Sequence, residues 1–403
     1  MIIKEKAFKM KSFLAKTFIC SALNTSLISC VMIPYTKFLG MLPLQISIII
    51  TIKRAIRIIG DIIFGIIFDR FGGKLVFIIG RVMKLLCYLI LLKTQSFTFI
   101  CISMVIYGLA EGTVQGKISS FIYNNLKANN KLSFFPKAMS LYYLFIDGHL
   151  ALMKFLAGLL LKEYGYNLII QISIVINIIS MIMLFFMIPN NKQNNLQQFV
   201  SKSFFDIFYK IKLIVKQNKI IMYIIVVYGI LVFFAWQFGS IASMVMLDMG
   251  ISATNITWFG GIINICSIIG TIISFLFLKE AIKMQNVCSI IVVLLLFGII
   301  SAISYNVYLF CIFMMAVDIM YVMLEVSIEK NLEKFSDKHI RGTAISLALV
   351  CTNLIATFAN LFIGFVAQHL SYKLGIICII MVLFLILIYF SLKIYKMKNI
   401  ISN

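Results

Sequence analysis

The chain has very little charge for its length. Only 12% of its 403 residues are Asp, Glu, Lys or Arg, whereas 62% are hydrophobic and the mean hydropathy is +1.05. Soluble domains carry about 25% charged residues, so water cannot be the main solvent of this chain. Intrinsic disorder is excluded because disordered chains are poor in hydrophobic residues. The apolar runs of about 20 residues differ from the ten-residue alternation of β-barrels, and they predict a polytopic helical membrane protein.

Acidic residues are scarcer than basic ones, at 14 Asp and Glu against 36 Lys and Arg, which gives a net charge of +22. A basic excess can indicate nucleic-acid binding. However, with both termini in the cytoplasm, 24 of the 36 basic residues fall in inner segments and eight in membrane spans. The outer loops hold only Lys37, Lys93, Lys162 and Lys373. This bias follows the positive-inside rule, so it predicts cytoplasmic termini and contact with anionic lipid, and no nucleic-acid partner.

The apolar segments predict an all-α integral membrane protein with twelve transmembrane helices in two pseudo-symmetric six-helix bundles. Each segment is long enough to cross a core about 30 Å thick. The predicted domains are a first bundle over 1–189, a cytoplasmic linker over 190–218 with an amphipathic segment, and a second bundle over 219–403. The predicted spans are 12–33, 44–68, 75–92, 97–122, 138–161, 167–188, 219–247, 254–278, 284–303, 306–329, 342–367 and 374–392.

Chemistry-bearing clusters are missing as well. The nine cysteines show no C-x-x-C spacing, and the three histidines lie on different segments. We therefore predict no metal site and no cofactor. A polytopic membrane enzyme is a remote alternative, because the sequence offers no nucleophile–base cluster. A channel is also disfavoured, since nothing resembles a carbonyl filter or a charged ring.

A motif stands at the inner end of the second span. Its positions are Gly65, Asp69, Arg70, Gly72, Gly73 and Lys74. It resembles the signature G-x-x-x-D-R-x-G-x-[RK] of the major facilitator superfamily, and the resemblance implies a conformational-switch role for these residues. Physically, Gly65 is expected to allow close helix approach, and Gly72 with Gly73 a tight turn.

Two further segments resemble the same superfamily. Residues 107–117 are similar to the small-residue fourth helix of members described as permeases or exporters. Ser140 and Ser346 open similar segments 206 residues apart, and Gly65 and Gly270 are 205 apart, which suggests an internal repeat. The arginine of the drug/proton antiporter signature is replaced by Gly112, and the proline of their fifth-helix signature is missing. The resemblance therefore does not by itself imply that this protein is a proton-driven drug antiporter.

Charges inside the predicted spans are costly and need a reason. Lys53, Arg57 and Asp61 form one helical stripe, with Arg54 beside it. One interpretation is a structural network that includes an Arg57–Asp61 pair and an Arg81–Glu111 pair, while Lys16, Lys84 and Lys117 reach the interface. The other is a cationic lining for an anionic or zwitterionic substrate. The full set of substrate or proton-coupling candidates is Lys53, Arg54, Arg57, Asp61, Glu111, Asp147, Asp318 and Glu325.

The second half holds acids alone inside its spans, Asp318 and Glu325, seven residues apart on one helix face with Tyr321 between them. A carboxylate in such a place can exchange a proton with the aqueous phases. Uncharged polar residues within the spans can face a central cavity or bond neighbouring helices. These cavity candidates are Asn24, Gln115, Tyr228, Trp236, Gln237, Asn264, Tyr321 and Asn353.

The resemblance implies a secondary active transporter that works by alternating access in the cytoplasmic (inner) membrane. The expected function is proton-coupled efflux of a small amphipathic or anionic molecule by a monomer. The alternative that keeps the fold is a proton-coupled importer of an organic anion or nutrient. The expected partners are thus a small-molecule substrate, H⁺ and the lipid bilayer.

Overall fold

The computed structural model describes residues 2–114, 117–128, 131, 134–187, 219–234, 238–277, 284–335 and 341–401. Within these ranges the chain is helical and forms no strand, as predicted. The helices are α1 (Ile2–Ala22), α2 (Leu27–Cys30), α3 (Met32–Phe38), α4 (Pro43–Phe71), α5 (Gly73–Lys93), α6 (Phe97–Gly112), α7 (Lys117–Ala128), α8 (Phe135–Met187), α9 (Lys219–Val232), α10 (Phe238–Asp248), α11 (Ala253–Phe277), α12 (Met284–Ser304), α13 (Val307–Phe335), α14 (Arg341–His369) and α15 (Tyr372–Ile401).

Eight helical stretches of the described residues are long and apolar enough to cross a membrane. One of them, within α8, would be about 80 Å long at 1.5 Å per residue, more than twice the bilayer core. A break at Gly165, with φ 74°, divides α8 into two segments of membrane length. α4 has 29 residues and carries the charged stripe. Many large apolar side chains on the helices are exposed, as expected of surfaces solvated by lipid. The number of twelve spans stays a prediction.

The chain divides into two compact units. Unit 1 contains Met1–Met41, Ile52–Val200 and Ala253–Gly261, and unit 2 contains Leu42–Thr51, Ser201–Ser252 and Ile262–Asn403. In unit 1, α5 packs against α6 and α8, and α8 also contacts α1 and α2. In unit 2, α9 packs against α14, and α12 against α13 and α15. The predicted domain boundaries remain a prediction, because residues 190–218 lie outside the described residues.

A glycine allows two helices to approach closely in each unit. In unit 1, a Cβ added to Gly60 on α4 would lie 3.1 Å from the carbonyl oxygen of Leu109 on α6. In unit 2, a Cβ added to Gly270 on α11 would lie 2.7 Å from the carbonyl oxygen of Ile319 on α13. Each glycine precedes its partner by 49 residues, so equivalent positions of the two units are 210 apart here.

Gly270 thus shares its partner spacing with Gly60, and the internal repeat with its offset of 205 stays a prediction. The predicted close helix approach at Gly65 is wrong, because no described heavy atom lies within 4 Å of where its Cβ would be.

The first predicted span, 12–33, is not a continuous helix. α1 ends at Ala22 and α2 begins at Leu27, so residues 23–26 interrupt it. The sequence there is Leu-Asn-Thr-Ser, and Asn, Thr and Ser favour turns because their side chains bond the local backbone. This interruption lies beside the candidate site.

Candidate functional site

Three charged side chains of the predicted set meet between α4 and α6 in unit 1. The Lys53 Nζ lies 3.4 Å from Glu111 Oε1, and the Arg57 Nη1 lies 3.8 Å from Glu111 Oε2. Lys53 and Arg57 are four residues apart, so one turn of α4 places both on the face that meets α6. The small residue Gly108 permits this approach, since a Cβ there would lie 2.5 Å from the carbonyl oxygen of Lys53. We call Lys53, Arg57 and Glu111 the charge triad.

An aromatic ring that the sequence did not single out adjoins the charge triad. The Tyr107 ring lies one helical turn before Glu111, and its centroid is 5.1 Å from Lys53 Nζ and 5.0 Å from Lys84 Nζ. An ammonium over a tyrosine ring gains a cation–π attraction. Tyr107 thereby holds two cations of different helices close to one carboxylate. Its spacing of four residues from Glu111 is the signal that could have identified it.

Two cations of α5 stabilise the interruption that follows α1. Arg81 donates from Nη1 to the Asn24 Oδ1 and from Nη2 to the Cys20 carbonyl oxygen at 2.8 Å. Lys84 Nζ donates to the Asn24 carbonyl oxygen at 2.7 Å. Cations at a helix C-terminus satisfy carbonyls that have no intrahelical partner and oppose the negative end of the dipole. Asn24 thus has a structural role in this geometry.

These contacts correct the predicted ion pairs. Arg81 binds Asn24 and Cys20 while Glu111 binds Lys53 and Arg57, so the predicted Arg81–Glu111 pair is wrong. Lys84 is buried and does not reach the interface, because the carbonyls of the interrupted helix supply the polar partners that snorkelling would otherwise seek.

The stripe continues into a second pair. Lys117 Nζ, on α7, lies 3.2 Å from Asp61 Oδ1 and donates to the Asp61 carbonyl oxygen at 3.0 Å. Lys117 is therefore anchored on α4 and does not snorkel, against the prediction. Asp61 was predicted to pair with Arg57. In the structure Asp61 forms an ion pair with Lys117 on α7, and Arg57 forms one with Glu111 on α6.

The charged side chains of the site differ in how much of their surface is exposed. The side chains of Lys53, Arg57 and Glu111 are 30%, 16% and 23% exposed, so a solute can touch them. Arg54 and Lys84 are buried at 5% and 2%. Four cations thus lie near the carboxylates of Glu111 and Asp61, so basic groups are in excess here. Such a region attracts anions, and the Arg57 guanidinium with the Lys53 ammonium can bind a carboxylate or phosphate.

Unit 2 holds acidic side chains on α13. Asp318 is buried, and its Oδ1 accepts a hydrogen bond from Ser267 Oγ on α11 at 3.3 Å. Glu325 Oε1 accepts from Tyr228 OH on α9 at 3.1 Å, which joins a coupling candidate with a cavity candidate. Tyr321 is buried one turn from Asp318. Sequence reasoning missed Ser267, which became apparent only from its hydrogen bond to Asp318.

The remaining candidates lie apart from these contacts. Asp147 is half-buried on α8, two turns before Lys154, whose Nζ donates to the Gly260 carbonyl oxygen at 2.9 Å. Asn264 is half-buried on α11 and Asn353 is buried on α14. Gln115, Trp236 and Gln237 lie outside the described residues. Within the described ranges, no three His, Cys, Asp or Glu residues are grouped so as to hold a metal ion.

The motif after the second span forms the predicted tight turn. α4 ends at Phe71 and α5 begins at Gly73, and Gly72 has φ 85°, which a side chain would strain. A Cβ at Gly73 would lie 2.8 Å from Phe68 Cε2, so a side chain at this position would displace the Phe68 ring. Arg70 is exposed, and Lys74 Nζ lies 4.9 Å from the Phe185 ring centroid. The Asp69 side chain lies outside the description, and the switch role stays a prediction.

Comparisons with known proteins agree with this architecture. The sequence model of the Major Facilitator Superfamily matches residues 14–303. An uncharacterized transporter of Buchnera aphidicola subsp. Schizaphis graminum is 26% identical over 154 residues, which are 38% of this chain and 38% of that protein. The chain thus matches well under half the length of this curated relative.

Solved structures of similar fold cover nearly the whole chain. The nucleoside transporter NupG has a TM-score of 0.71 at 16% identity, over 95% of this chain and 99% of that chain. A POT family transporter in complex with a thioalcohol-conjugated peptide has a TM-score of 0.72 at 13% identity, over 96% of both chains. A bacterial homolog of the human lysosomal transporter Spinster has a TM-score of 0.62 at 12% identity, over 98% and 97%. At these identities the likeness shows the fold alone.

Proposed function

The chain belongs to the Major Facilitator Superfamily, and we propose that it is a proton-coupled exporter of a small anionic or amphipathic molecule. The family comprises membrane transporters of small molecules and not enzymes. We place the protein in the cytoplasmic membrane as a monomer with both termini in the cytoplasm. Export is proposed because the small residues of α6 resemble the fourth helix of exporter-type members. Import of an organic anion or nutrient is the alternative that the assay below separates.

The charge triad is the observation that carries the proposal. Two partly exposed cations, Lys53 and Arg57, converge on one partly exposed carboxylate, Glu111. A charged group within a membrane span costs about 2.5–3.5 kcal/mol on insertion, so such groups mark a functional site, and a purely apolar solute would form no ion pair with them. An anion can instead exchange places with Glu111 on the same two cations. The triad therefore favours a substrate with a carboxylate or phosphate group.

The acids of unit 2 support the proposal of proton coupling. Asp318 is buried on α13, and its carboxylate accepts a hydrogen bond from the neutral Ser267 hydroxyl. A carboxylate in such a setting can bind a proton in one state and release it in another. Glu325 with the Tyr228 hydroxyl is a second group of this kind. We propose Asp318 as the main proton site.

Transport by reconstituted protein tests the proposal. Proteoliposomes are loaded with a set of labelled organic anions, and release is followed with a pH gradient that is acid outside. We expect the gradient to drive release against the anion gradient, and Asp318→Asn to abolish this coupling while downhill exchange continues. Uptake driven by the same gradient would favour the importer. Equal fluxes with and without the gradient for every anion would overturn the coupling.

A further inference from the structure

A small cavity inside unit 1 lies between α1, α5, α7 and α8, and its described lining contains Arg81 but no residue of the charge triad. Its volume is about 20 Å³, and a water molecule needs about 10–15 Å³. We infer that this cavity binds one monatomic anion, such as chloride, and that Arg81 is its main ligand. An organic substrate is too large for this space, so the inference adds a second site to the proposed function.

The first observation is an unused donor on a buried side chain. Arg81 is 3% exposed, although arginine is seldom buried so far. Its Nη1 and Nη2 donate to Asn24 Oδ1 and to the Cys20 carbonyl oxygen. Its Nε is buried and has no hydrogen-bond partner in the described part of the chain. Because a buried donor left unbonded is costly, we expect a ligand with an acceptor atom beside Nε.

The second observation concerns the charge of Arg81. Both of its hydrogen-bond acceptors, an amide oxygen and a backbone carbonyl, are neutral. The described groups that act electrostatically on Arg81 include no carboxylate; they are Cys20, Tyr88, Tyr107 and the cation Lys84. Glu111, the carboxylate of the charge triad, acts on Lys84 instead. A water molecule would bond to Nε but leave the buried charge without a counter-ion, whereas an anion supplies both.

The other walls of the cavity suit an ion without its hydration shell. Ser21 Oγ lies 2.8 Å from Tyr142 OH, and when Tyr142 donates in this bond the Ser21 hydrogen can turn toward the ion. The Cys20 thiol is a further weak donor. The remaining lining includes the apolar side chains of Phe77, Val114, Ile118 and Leu184. Apolar walls lower the local dielectric, so Arg81 attracts an anion more strongly there than in water.

The proposed anion stabilises the interruption that follows α1. Arg81 bonds Asn24 and Cys20 at this interruption, so a ligand on Nε holds the guanidinium in the orientation that these two bonds require. The Arg81 backbone is itself fixed, because Asn177 Nδ2 on α8 donates to its carbonyl oxygen at 2.8 Å. We therefore expect binding of the anion to raise the thermal stability of the protein.

Thermal unfolding of the purified full-length protein in detergent tests the inference. Sodium chloride replaces sodium gluconate over about 0–150 mM at constant ionic strength, so that screening of surface charges stays the same. Gluconate serves as the reference because it is too large for the cavity. We expect chloride to raise Tm by about 1–3 °C along a saturation curve for one site. Equal Tm values in chloride and gluconate would mean that water alone fills the cavity, and the inference would be wrong.

Variants locate the ion. Arg81→Gln removes the charge but keeps an amide donor for Asn24, and Val114→Ile narrows the cavity while Arg81 stays intact. We expect both to abolish the chloride-dependent shift in Tm. Lys93→Gln removes a charge from an exposed position at the end of α5 and should keep the shift. If Arg81→Gln does not fold, Val114→Ile decides, because a shift that persists there would place the ion outside the cavity.

A last variant separates this site from the charge triad. Lys53→Gln removes a triad cation and should keep the full chloride-dependent shift, since Lys53 does not line the cavity. A shift that is lost in Lys53→Gln and kept in Val114→Ile would assign chloride to the charge triad. The cavity site would then be refuted, while the proposed transport of anions would still stand.

Discussion

At the scale of single residues, the Asp61–Lys117 pair is the clearest structural ion pair of the described charges. Lys117 is 8% exposed and Asp61 32%, and the ammonium also binds the Asp61 backbone. Unlike the charge triad, this pair has equal numbers of cations and anions. It has no positive charge left for a ligand, so its contribution is to stability.

We expect Lys117→Met to destabilise the protein by about 2 kcal/mol, because a half-buried carboxylate loses its cation. Asp61→Asn on the Lys117→Met background should recover part of that loss, since the remaining charge is removed. Thermal unfolding of the single and double variants in detergent measures the coupling. Losses that simply add in the double variant would contradict a direct pair.

Residue types inside the spans could be predicted from the sequence, but their partners could not. The stripe of Lys53, Arg57 and Asp61 follows from helical spacing alone, and the structure brings two of its members to Glu111. The Arg81–Glu111 prediction failed because pairing depends on the rotation of each helix about its axis. Packing at glycines such as Gly108 sets that rotation. A single sequence shows where the glycines are but not which helix packs against each of them.

At the scale of the helices, glycines decide where α4 can approach α6. A Cβ at Gly112 would lie 2.5 Å from the carbonyl carbon of Gly60 and 2.7 Å from the Asp61 nitrogen. Backbone atoms cannot give way as a flexible side chain does, so an added methyl must separate the helices. Separation would also move the charge triad, which spans the same two helices.

We expect Gly112→Ala to cost about 2–3 kcal/mol in thermal unfolding and to weaken anion binding. Gly65→Ala is the matched control, on α4 with no described atom within 4 Å of the new methyl group. There we expect no loss, and a gain of up to about 1 kcal/mol from the better helix former. If Gly65→Ala destabilised the protein more than Gly112→Ala, α4 and α6 would not be held together at Gly112.

Helix existence was predictable and helix continuity was not. Apolar length gave both ends of α5 and α12, and the starts of α13 and α15, to within two residues. The interruption at 23–26 was not predicted because mean hydropathy over a span does not reveal a short turn. Its stability comes from Arg81 and Lys84, which are about 60 residues away in the sequence. The break at Gly165, by contrast, lies between the predicted spans 138–161 and 167–188.

At the scale of the whole chain, charge is distributed unequally between the two units. The described intramembrane cations lie on α1, α4, α5, α7 and α8, at positions that belong to unit 1, whereas Asp318 and Glu325 belong to unit 2. The intramembrane charges of the two units therefore differ in sign, and this asymmetry supports separate groups for anion and proton.

The basic residues outside the spans lead to the last prediction, which concerns orientation. The four assigned to outer loops lie beside turns of the described helices: Lys37 and Lys93 at the ends of α3 and α5, Lys162 before Gly165, and Lys373 at the start of α15. By comparison, the segments assigned to the cytoplasm contain 24 basic residues. Loops rich in Lys and Arg stay on the cytoplasmic side during insertion.

Fusions to alkaline phosphatase, which is active only outside the cytoplasm, measure this orientation. A fusion after Lys93 should be active, and a fusion at the C-terminus should be inactive but fluorescent when green fluorescent protein replaces the phosphatase. Adding four lysines beside Lys93 should lower the activity of the first fusion severalfold, because it reduces the charge difference across α5. An active C-terminal phosphatase would mean that the basic excess does not set the topology.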